Sequence, residues 1–287
     1  MRIARFSHDD EVSYGLVLGP DGMSAEAPAV ANGTAAAGLA GSAGSHEDGQ
    51  LAIAQIAGHP FGGAEIKLTG ARFPLPDVRL LAPILPSKVI CIGKNYADHA
   101  REMGGEPPAE PVIFLKPSTA VCGPGDPILR PTQISDRTDY EGELAVVIGR
   151  LCRQVPPDRV AEVIFGYTCA NDVTARDLQA KDGQWTRAKG FDTFCPLGPW
   201  IETELDPADL ALTTRLNGEV KQDSRTSLLL HDVQALVMFV SQVMTLLPGD
   251  VLLTGTPAGI GPMKAGDDVS VAIEGIGTLS NLVADRD

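Results

Sequence analysis

Short apolar runs recur along the chain, and stretches that contain Gly and Pro separate them. Near the start, residues 2–6 and 14–18 alternate apolar and polar positions, as half-buried strands do. Runs of this length, bounded by turn residues and rich in β-branched side chains, favour strands. The pattern therefore predicts a mainly β protein with some α-helix, whose later strands cover residues 89–92, 112–115, 144–148, 163–170, 212–216, 251–254 and 269–273.

Helical patterns are fewer, and the best of them follow residue 76. They predict helices at residues 95–103, 157–163 and 230–246, the last ended by a Pro-Gly-Asp stop. A short helix is also predicted at residues 51–57, after a loop rich in Ala, Gly and Ser at 29–50. The Phe-Pro-Leu-Pro stretch at 73–76 marks a boundary, so we expect a small N-terminal β domain at 1–76 and a larger domain at 77–287.

The composition narrows the class of function. The chain has 287 residues and is 44% hydrophobic, which is enough for a substantial core. Its formal net charge of −14 opposes binding to nucleic acid or to an anionic membrane, because both need a basic surface. No stretch approaches the ~20 apolar residues of a spanning helix, and no signal-peptide core is present. We therefore expect a cytoplasmic protein with no nucleic-acid or membrane partner.

The five cysteines are an odd number, widely spaced and without a C-x-x-C pair. This spacing predicts reduced thiols. Cys195 lies in an apolar context with no histidine near it in sequence, which favours packing over a nucleophilic role.

Glu141 and Glu143, followed by Asp172, are the strongest candidate chemistry in the chain. Residues two apart in a strand share a face, so both glutamates can converge on one ion, and Gly142 between them leaves room there. All-oxygen ligands favour Mg²⁺ or Mn²⁺, with Ca²⁺ also possible. The alternative is that these acids are solvated residues at strand ends. A partly buried trio would favour the metal, because a cation removes the repulsion among them.

Five ordered motifs between residues 88 and 282 carry a family resemblance; they read GKNYADHAREM, DYEGELAVVIG, NDVTARDLQ, GQWTRAKGFDTFCPLGP and LLTGTPAGIG. Together they resemble the fumarylacetoacetate hydrolase family, which includes hydrolases, decarboxylases and isomerases. The resemblance implies a mixed β-sandwich roll that usually forms a homodimer, and an Mg²⁺ or Mn²⁺ ion that holds a 2-oxo acid. Larger members supply a further upstream Asp to the metal. Residues 93–95 offer none here, so the three-carboxylate form fits better.

The resemblance also implies catalytic roles. His99 and Glu102, three apart on one predicted helix face that Asn95 caps, match a His–Glu pair of hydrolytic members, with His99 as general base and Glu102 as its orienting partner. Taken alone, the pair is typical of an exposed helix. The Pro-rich residues 106–111 fit a lid hinge. Lys189 matches a lysine that stabilises the enolate or oxyanion beside the metal, although a surface lysine is the default interpretation.

Three further residues are candidates for binding substrate. Arg176 and Gln179 follow Asp172 and, if a helix begins there, point back toward the carboxylates. The Gln position contacts substrate in the family, whereas Arg176 could equally be a structural partner of Asp177 or of the sheet. The Thr256 hydroxyl, in a strand-to-turn segment, could hold a substrate carboxylate, and this assignment rests on the family match.

These features predict a divalent-metal enzyme that cleaves a C–C bond in small anionic 2-oxo or 2,4-dioxo acids through an enolate. Hydrolysis of acylpyruvates or of fumarylacetoacetate-type substrates comes first, and oxaloacetate decarboxylation uses the same enolate. One alternative is a 2-hydroxyhepta-2,4-diene-1,7-dioate isomerase. Another, of a different class, is a non-catalytic metal-binding protein. The sequence leaves open the substrate tail, the choice between Mg²⁺ and Mn²⁺, and the oligomeric state.

Overall fold

The computed structural model describes residues 1–19, 51–61 and 66–286. Its helices are short, and strands dominate, which confirms the expected mainly β fold with some α-helix. The loop predicted at 29–50 lies outside the described residues. The α-helices are α1 (Ala97–Glu102), α2 (Val160–Val163), α3 (Arg176–Asp182), α4 (Thr186–Lys189) and α5 (Val233–Val243).

The largest sheet has twelve strands and runs through the centre of the molecule. Its order is β4-β3-β2-β1-β14-β12-β11-β17-β6-β7, with β5 beside β1 and β8 beside β14. These strands are β1 (Arg2–His8), β2 (Glu11–Leu18), β3 (Ala52–Ile56), β4 (Leu68–Pro74), β5 (Arg79–Leu81), β6 (Val89–Gly93), β7 (Val112–Lys116), β8 (Val121–Cys122), β11 (Gly142–Ile148), β12 (Ile164–Asn171), β14 (Cys195–Glu202) and β17 (Val251–Leu253).

Two smaller sheets complete the fold. One has five strands in the order β16-β15-β19-β20-β9, and the other three in the order β13-β10-β18. Their strands are β9 (Ile128–Arg130), β10 (Thr138–Tyr140), β13 (Thr174–Ala175), β15 (Ala211–Leu216), β16 (Glu219–Arg225), β18 (Gly261–Pro262), β19 (Asp268–Ile273) and β20 (Gly277–Asp285).

Strand β11 lies at the centre of the core, and each of its residues is buried. Leu144, Val146 and Ile148 pack with residues of the five-stranded sheet and of α5, including Leu212 and Leu236. The alternate residues of β11 pack into a second apolar cluster on the other face of the sheet. Burial on both faces explains why β11 is a continuous apolar run rather than an alternating one.

The N-terminal strands extend the same sheet. β1 pairs antiparallel with β14, placing Arg2 opposite Glu202, and β2, β3 and β4 follow outward from it. The division into domains at residue 76 stays a prediction.

The helix predicted at residues 51–57 is wrong, because this segment forms strand β3. Ile53 and Ile56 are buried while β3 pairs with β2 on one side and β4 on the other. A short apolar run has too few residues for its period to separate helix from strand, and pairing with two neighbours decides the outcome.

The other predicted helices form within their predicted ranges but are shorter. Asp232 caps α5 by accepting a hydrogen bond from the Ala235 N–H at 2.8 Å, which is why the helix starts at Val233. Asn95 does not cap α1, contrary to the prediction. Its side chain instead donates to the carbonyls of His231 at 2.9 Å and Thr254 at 2.8 Å, which fixes the chain ahead of α1 to the end of β17.

The five cysteines are free thiols, as predicted. Cys195 is fully buried, and burial raises the pKa of its thiol to about 12. Within the residues that the structure describes, no helix combines the length and the apolar character needed to cross a membrane.

Gly142 does not make room for the metal site, contrary to the prediction. A Cβ there would lie 2.0 Å from Thr214 Oγ1 in the five-stranded sheet.

We expect Gly142→Ala to lower the free energy of unfolding by ~1–3 kcal/mol, because the added methyl overpacks this contact. Urea denaturation in EDTA measures the change without a contribution from bound metal. Gly105→Ala is the control, since its Cβ would approach nothing nearer than the end of the Lys94 side chain at 3.4 Å and the Ala100 carbonyl oxygen at 3.9 Å. Equal losses for both variants would contradict the prediction.

Candidate active site

Three carboxylates meet where strands β11 and β12 lie side by side. Glu141 and Glu143 flank Gly142 at the start of β11, and Asp172 directly follows β12. The pairing of Gly142 with Asn171 brings these strand ends together, and the Asp172 N–H donates to the Glu141 carbonyl at 2.8 Å. One carboxylate oxygen from each residue lies within 4.8 Å of the others. At 3%, 2% and 1% exposed, these acids are not the solvated strand-end residues of the alternative interpretation.

Cationic side chains surround two of the three carboxylates. Lys189 Nζ donates to Glu141 Oε2 at 2.9 Å and to Asp172 Oδ2 at 2.5 Å. Lys116 Nζ donates to Asp172 Oδ1 at 2.5 Å, and the Arg176 guanidinium donates to Glu141. Burial by itself would raise the pKa of Glu141, but Lys189 and Arg176 bring that pKa below its usual value.

Glu143 differs from the other two acids. Among the described residues it has no lysine or arginine partner, and it accepts one backbone hydrogen bond, from the Gly255 N–H at 2.6 Å. Burial, followed by the nearby charges of Asp172 and Glu141, raises the pKa of Glu143 well above its usual value. A buried carboxylate in this position is stabilised in its charged form by a cation, so the donor set fits a hard divalent ion.

His99 and Glu102 lie together on α1, as their spacing predicts. His99 Nδ1 is 3.1 Å from Glu102 Oε2, and His99 is buried. The other carboxylate oxygen of Glu102 accepts a hydrogen bond from the Gly259 N–H at 3.0 Å. Because one carboxylate holds both the imidazole and the loop after β17, the orientation of the His99 ring is fixed.

Arg176 is the first residue of α3, so a helix does begin after Asp172, which was the condition for Arg176 and Gln179 to point back toward the carboxylates. Its guanidinium donates to Asp139 Oδ2 at 2.9 Å and to Gln179 Oε1 at 2.6 Å, in addition to Glu141. Asp177 is not its partner, because that carboxylate bonds to Ser135. Arg176 thus connects the three-stranded sheet to the carboxylate site.

The Thr256 hydroxyl is engaged within the protein. It donates to the Gly142 carbonyl at 2.9 Å and accepts a hydrogen bond from Gln222 Nε2 at 2.8 Å. Gln222 is fully buried, accepts from the Gly142 N–H at 2.9 Å, and also donates to the Pro257 carbonyl at 2.8 Å. This amide joins the carboxylate strand to the loop after β17. A substrate contact for Thr256 stays a prediction.

A cavity of about 340 Å³ brings most of these groups together. Of the nine candidate residues only Glu102 does not line it, and its carboxylate contacts His99, which does. Sequence reasoning assigned no role to several residues that line the cavity or bond to the carboxylates there, among them Lys94, Met103, Phe114, Lys116 and Trp185. Lys116 had one signal, because a charged residue ends an otherwise apolar strand run.

A mixed β fold with a buried carboxylate trio, a lysine and a His–Glu pair in one cavity defines a class of enzyme. The family model "Fumarylacetoacetate (FAA) hydrolase C-terminal" matches residues 88–284, and "Rv2993c-like, N-terminal" matches residues 1–83. The chain belongs to the fumarylacetoacetate hydrolase family and is an enzyme of that family.

Three relatives indicate the range of names within this family. Protein Rv2993c of Mycobacterium tuberculosis is 59% identical over 255 residues, which cover 88% of this chain and 94% of that protein. Oxaloacetate tautomerase Fahd2a, mitochondrial, of Rattus norvegicus is 44% identical over 73% of this chain and 71% of its own length. The crystal structure of 2-hydroxyhepta-2,4-diene-1,7-dioate isomerase from Mycobacterium marinum has a TM-score of 0.83 and 50% identity, covering 100% of this chain and 99% of that one.

Proposed function

We propose that the protein is a divalent-metal-dependent enzyme that moves a proton on small anionic 2-oxo acids through their enolates. The observation that carries this proposal is the single cavity shared by three buried carboxylates, the Lys189 ammonium and the His99–Glu102 pair. Glu141, Glu143 and Asp172 would hold Mg²⁺ or Mn²⁺, with Ca²⁺ also possible. When bound, such an ion supplies Lewis acidity to the substrate's oxygens.

The chain's own groups have complementary tasks. His99 takes a proton from C3 of the substrate, and Glu102 keeps the imidazole oriented. Negative charge then develops on the 2-oxo oxygen, where the Lys189 ammonium stabilises it. Arg176 and Gln179 are assigned to the substrate's carboxylate side. His99 then returns the proton to the enolate. Return to the oxygen completes a tautomerisation, and return to a different carbon of a conjugated chain completes a double-bond shift.

The names of two relatives favour proton transfer as the overall reaction, since one is a tautomerase and the other an isomerase. Hydrolytic C–C cleavage is the second candidate, favoured by the volume of the cavity. At about 340 Å³ it can hold a small 2-oxo acid together with a water, whose share of volume is ~30 Å³. In that reaction His99 would take its proton from water instead of from C3.

Two assays separate these reactions. The first follows by ultraviolet absorbance how fast enol-oxaloacetate is converted to the keto form, with Mg²⁺ and with EDTA. The second is a proton NMR time course with acetylpyruvate. Metal-dependent ketonisation without cleavage supports tautomerisation, whereas acetate and pyruvate would move the assignment to hydrolysis. Metal binding with neither reaction would contradict the proposal and favour the non-catalytic alternative.

We expect His99→Gln to lower kcat by ~10²–10⁴-fold, the usual contribution of a positioned acid–base group. Mg²⁺ affinity should stay within about twofold, because the carboxylates are untouched. The kcat measurement is paired with His8→Gln, whose histidine lies in β1 outside the cavity. Full turnover in His99→Gln would remove this residue from the mechanism.

A homodimer in the cytoplasm is proposed on the family resemblance, and sedimentation velocity of the purified protein tests the dimer.

A further inference from the structure

One wall of the cavity is aromatic, and the chemistry proposed above does not use it. Trp185 and Phe114 line the cavity with their ring centroids 5.1 Å apart and an interplanar angle of 74°. This edge-to-face arrangement is a favourable geometry for two aromatic rings. Trp185 is half-buried, so part of the indole remains available to a ligand. We refer to Trp185 and Phe114 together as the aromatic wall.

Gly93 fixes the position of this wall. It is the last residue of β6, and a Cβ there would lie 2.5 Å from Trp185 Cζ3 and 2.8 Å from Cη2. No side chain can occupy that space while the indole stays where it is, because interiors are close-packed. The indole therefore rests directly on the backbone at the end of β6, which also borders the cavity.

The aromatic wall begins at the reacting centre. The Lys189 N–H donates to the Trp185 carbonyl at 2.9 Å, so the two residues are one helical turn apart and share a face. Lys189 Nζ lies 5.0 Å from the centroid of the Phe114 ring. A substrate with its 2-oxo oxygen beside Lys189 and its carboxylate on the side of Arg176 and Gln179 has the aromatic wall within reach of its chain beyond C3.

We propose that Trp185 is a specificity-determining residue, and that the aromatic wall seated on Gly93 binds the substrate's tail and favours flat, apolar or unsaturated tails. The inference rests on the proposed function, because the head group at the carboxylates and Lys189 sets the direction of the tail. The physical basis is burial of apolar surface together with stacking on the indole face.

Isothermal titration calorimetry of the Mg²⁺-loaded protein with pyruvate and phenylpyruvate tests the proposal. The two probes share one head group and differ by a phenyl ring. We expect phenylpyruvate to bind about tenfold more tightly than pyruvate, a margin typical of aromatic contacts. Trp185→Leu should lose most of that margin, Trp185→Phe should keep most of it, and Gly93→Ala should lose part of it because the indole must move. Thermal unfolding checks that each variant is folded.

Oxalate, a probe with a head and no tail, separates failure of this inference from failure of the proposed function. We expect oxalate to bind wild type and Trp185→Leu equally in the presence of Mg²⁺. Absence of oxalate binding to wild type would count against the proposed function itself. Oxalate binding with an unchanged preference for phenylpyruvate in Trp185→Leu would overturn the role of Trp185 alone.

Discussion

Glu143→Gln is expected to abolish metal-dependent activity and to weaken Mg²⁺ binding by on the order of 10²-fold or more. Even residues that only hydrogen-bond to metal ligands contribute about 10–100-fold to metal affinity, and a ligand should contribute at least as much. Glu143 is the informative choice among the three acids. Glu141 and Asp172 bond to Lys189, Lys116 or Arg176, so replacing either one also leaves a buried cation without its partner. Glu143 has no such partner among the described residues, which makes its replacement the cleaner removal of a ligand.

Thermal unfolding with increasing Mg²⁺ measures this effect without any substrate. An ion that binds only the folded state raises the Tm of wild type by mass action, whereas the Tm of Glu143→Gln should change little as Mg²⁺ is added. In EDTA the variant should unfold no earlier than wild type, because burial and the nearby charges of Asp172 and Glu141 raise the pKa of Glu143, and glutamine is a neutral side chain of the same shape. Lower stability of the variant in EDTA, with Mg²⁺ binding intact, would show that Glu143 is structural.

Lys189→Met is expected to lower kcat by ~10²–10³-fold, the loss found when a donor to a developing oxyanion is removed. Mg²⁺ affinity should not fall with it, because the ammonium is a cation that competes for Glu141 and Asp172. This combination separates a catalytic lysine from one that only holds the carboxylates in place. Steady-state kinetics and calorimetry with Mg²⁺ provide the two measurements.

Lys181→Met is the matched control for this experiment, since Lys181 is exposed at the end of α3 and does not line the cavity. Lys189→Arg should fail to restore activity, because a planar guanidinium cannot replace a compact ammonium that donates to both Glu141 and Asp172 in a buried position. Wild-type kcat in Lys189→Met would exclude the proposed stabilisation of the enolate.

The sequence predicts most strands because their apolar runs are long enough to show in a single chain. β11 is the clearest case, since burial on both faces requires five consecutive apolar residues at 144–148. The helix predicted at residues 51–57 is wrong because the secondary structure of this segment depends on pairing with β2 and β4, which come from elsewhere in the chain. The prediction that Asn95 caps α1 is wrong for a similar reason, because the hydrogen-bond partners of its side chain, His231 and Thr254, are distant in sequence.

The residues of the candidate site also fall into those that the sequence predicts and those that it does not. Glu141, Glu143 and Asp172 could be grouped from strand period and family motifs, and the structure brings them together. Trp185 could not be assigned, because its place depends on a glycine about ninety residues earlier in the chain. The partners of the Thr256 hydroxyl were also hidden, since Gln222 lies on a strand of another sheet.

Gln222 has a consequence for building chimaeras from members of this family. One amide from β16 bonds to Gly142 on the carboxylate strand and to both Thr256 and Pro257 in the loop after β17. A five-stranded sheet taken from a relative without glutamine at this position would lose these bonds and disturb the spacing of the acids. Chimaeras that take residues 141–143, 222 and 256–257 from one parent keep all of them.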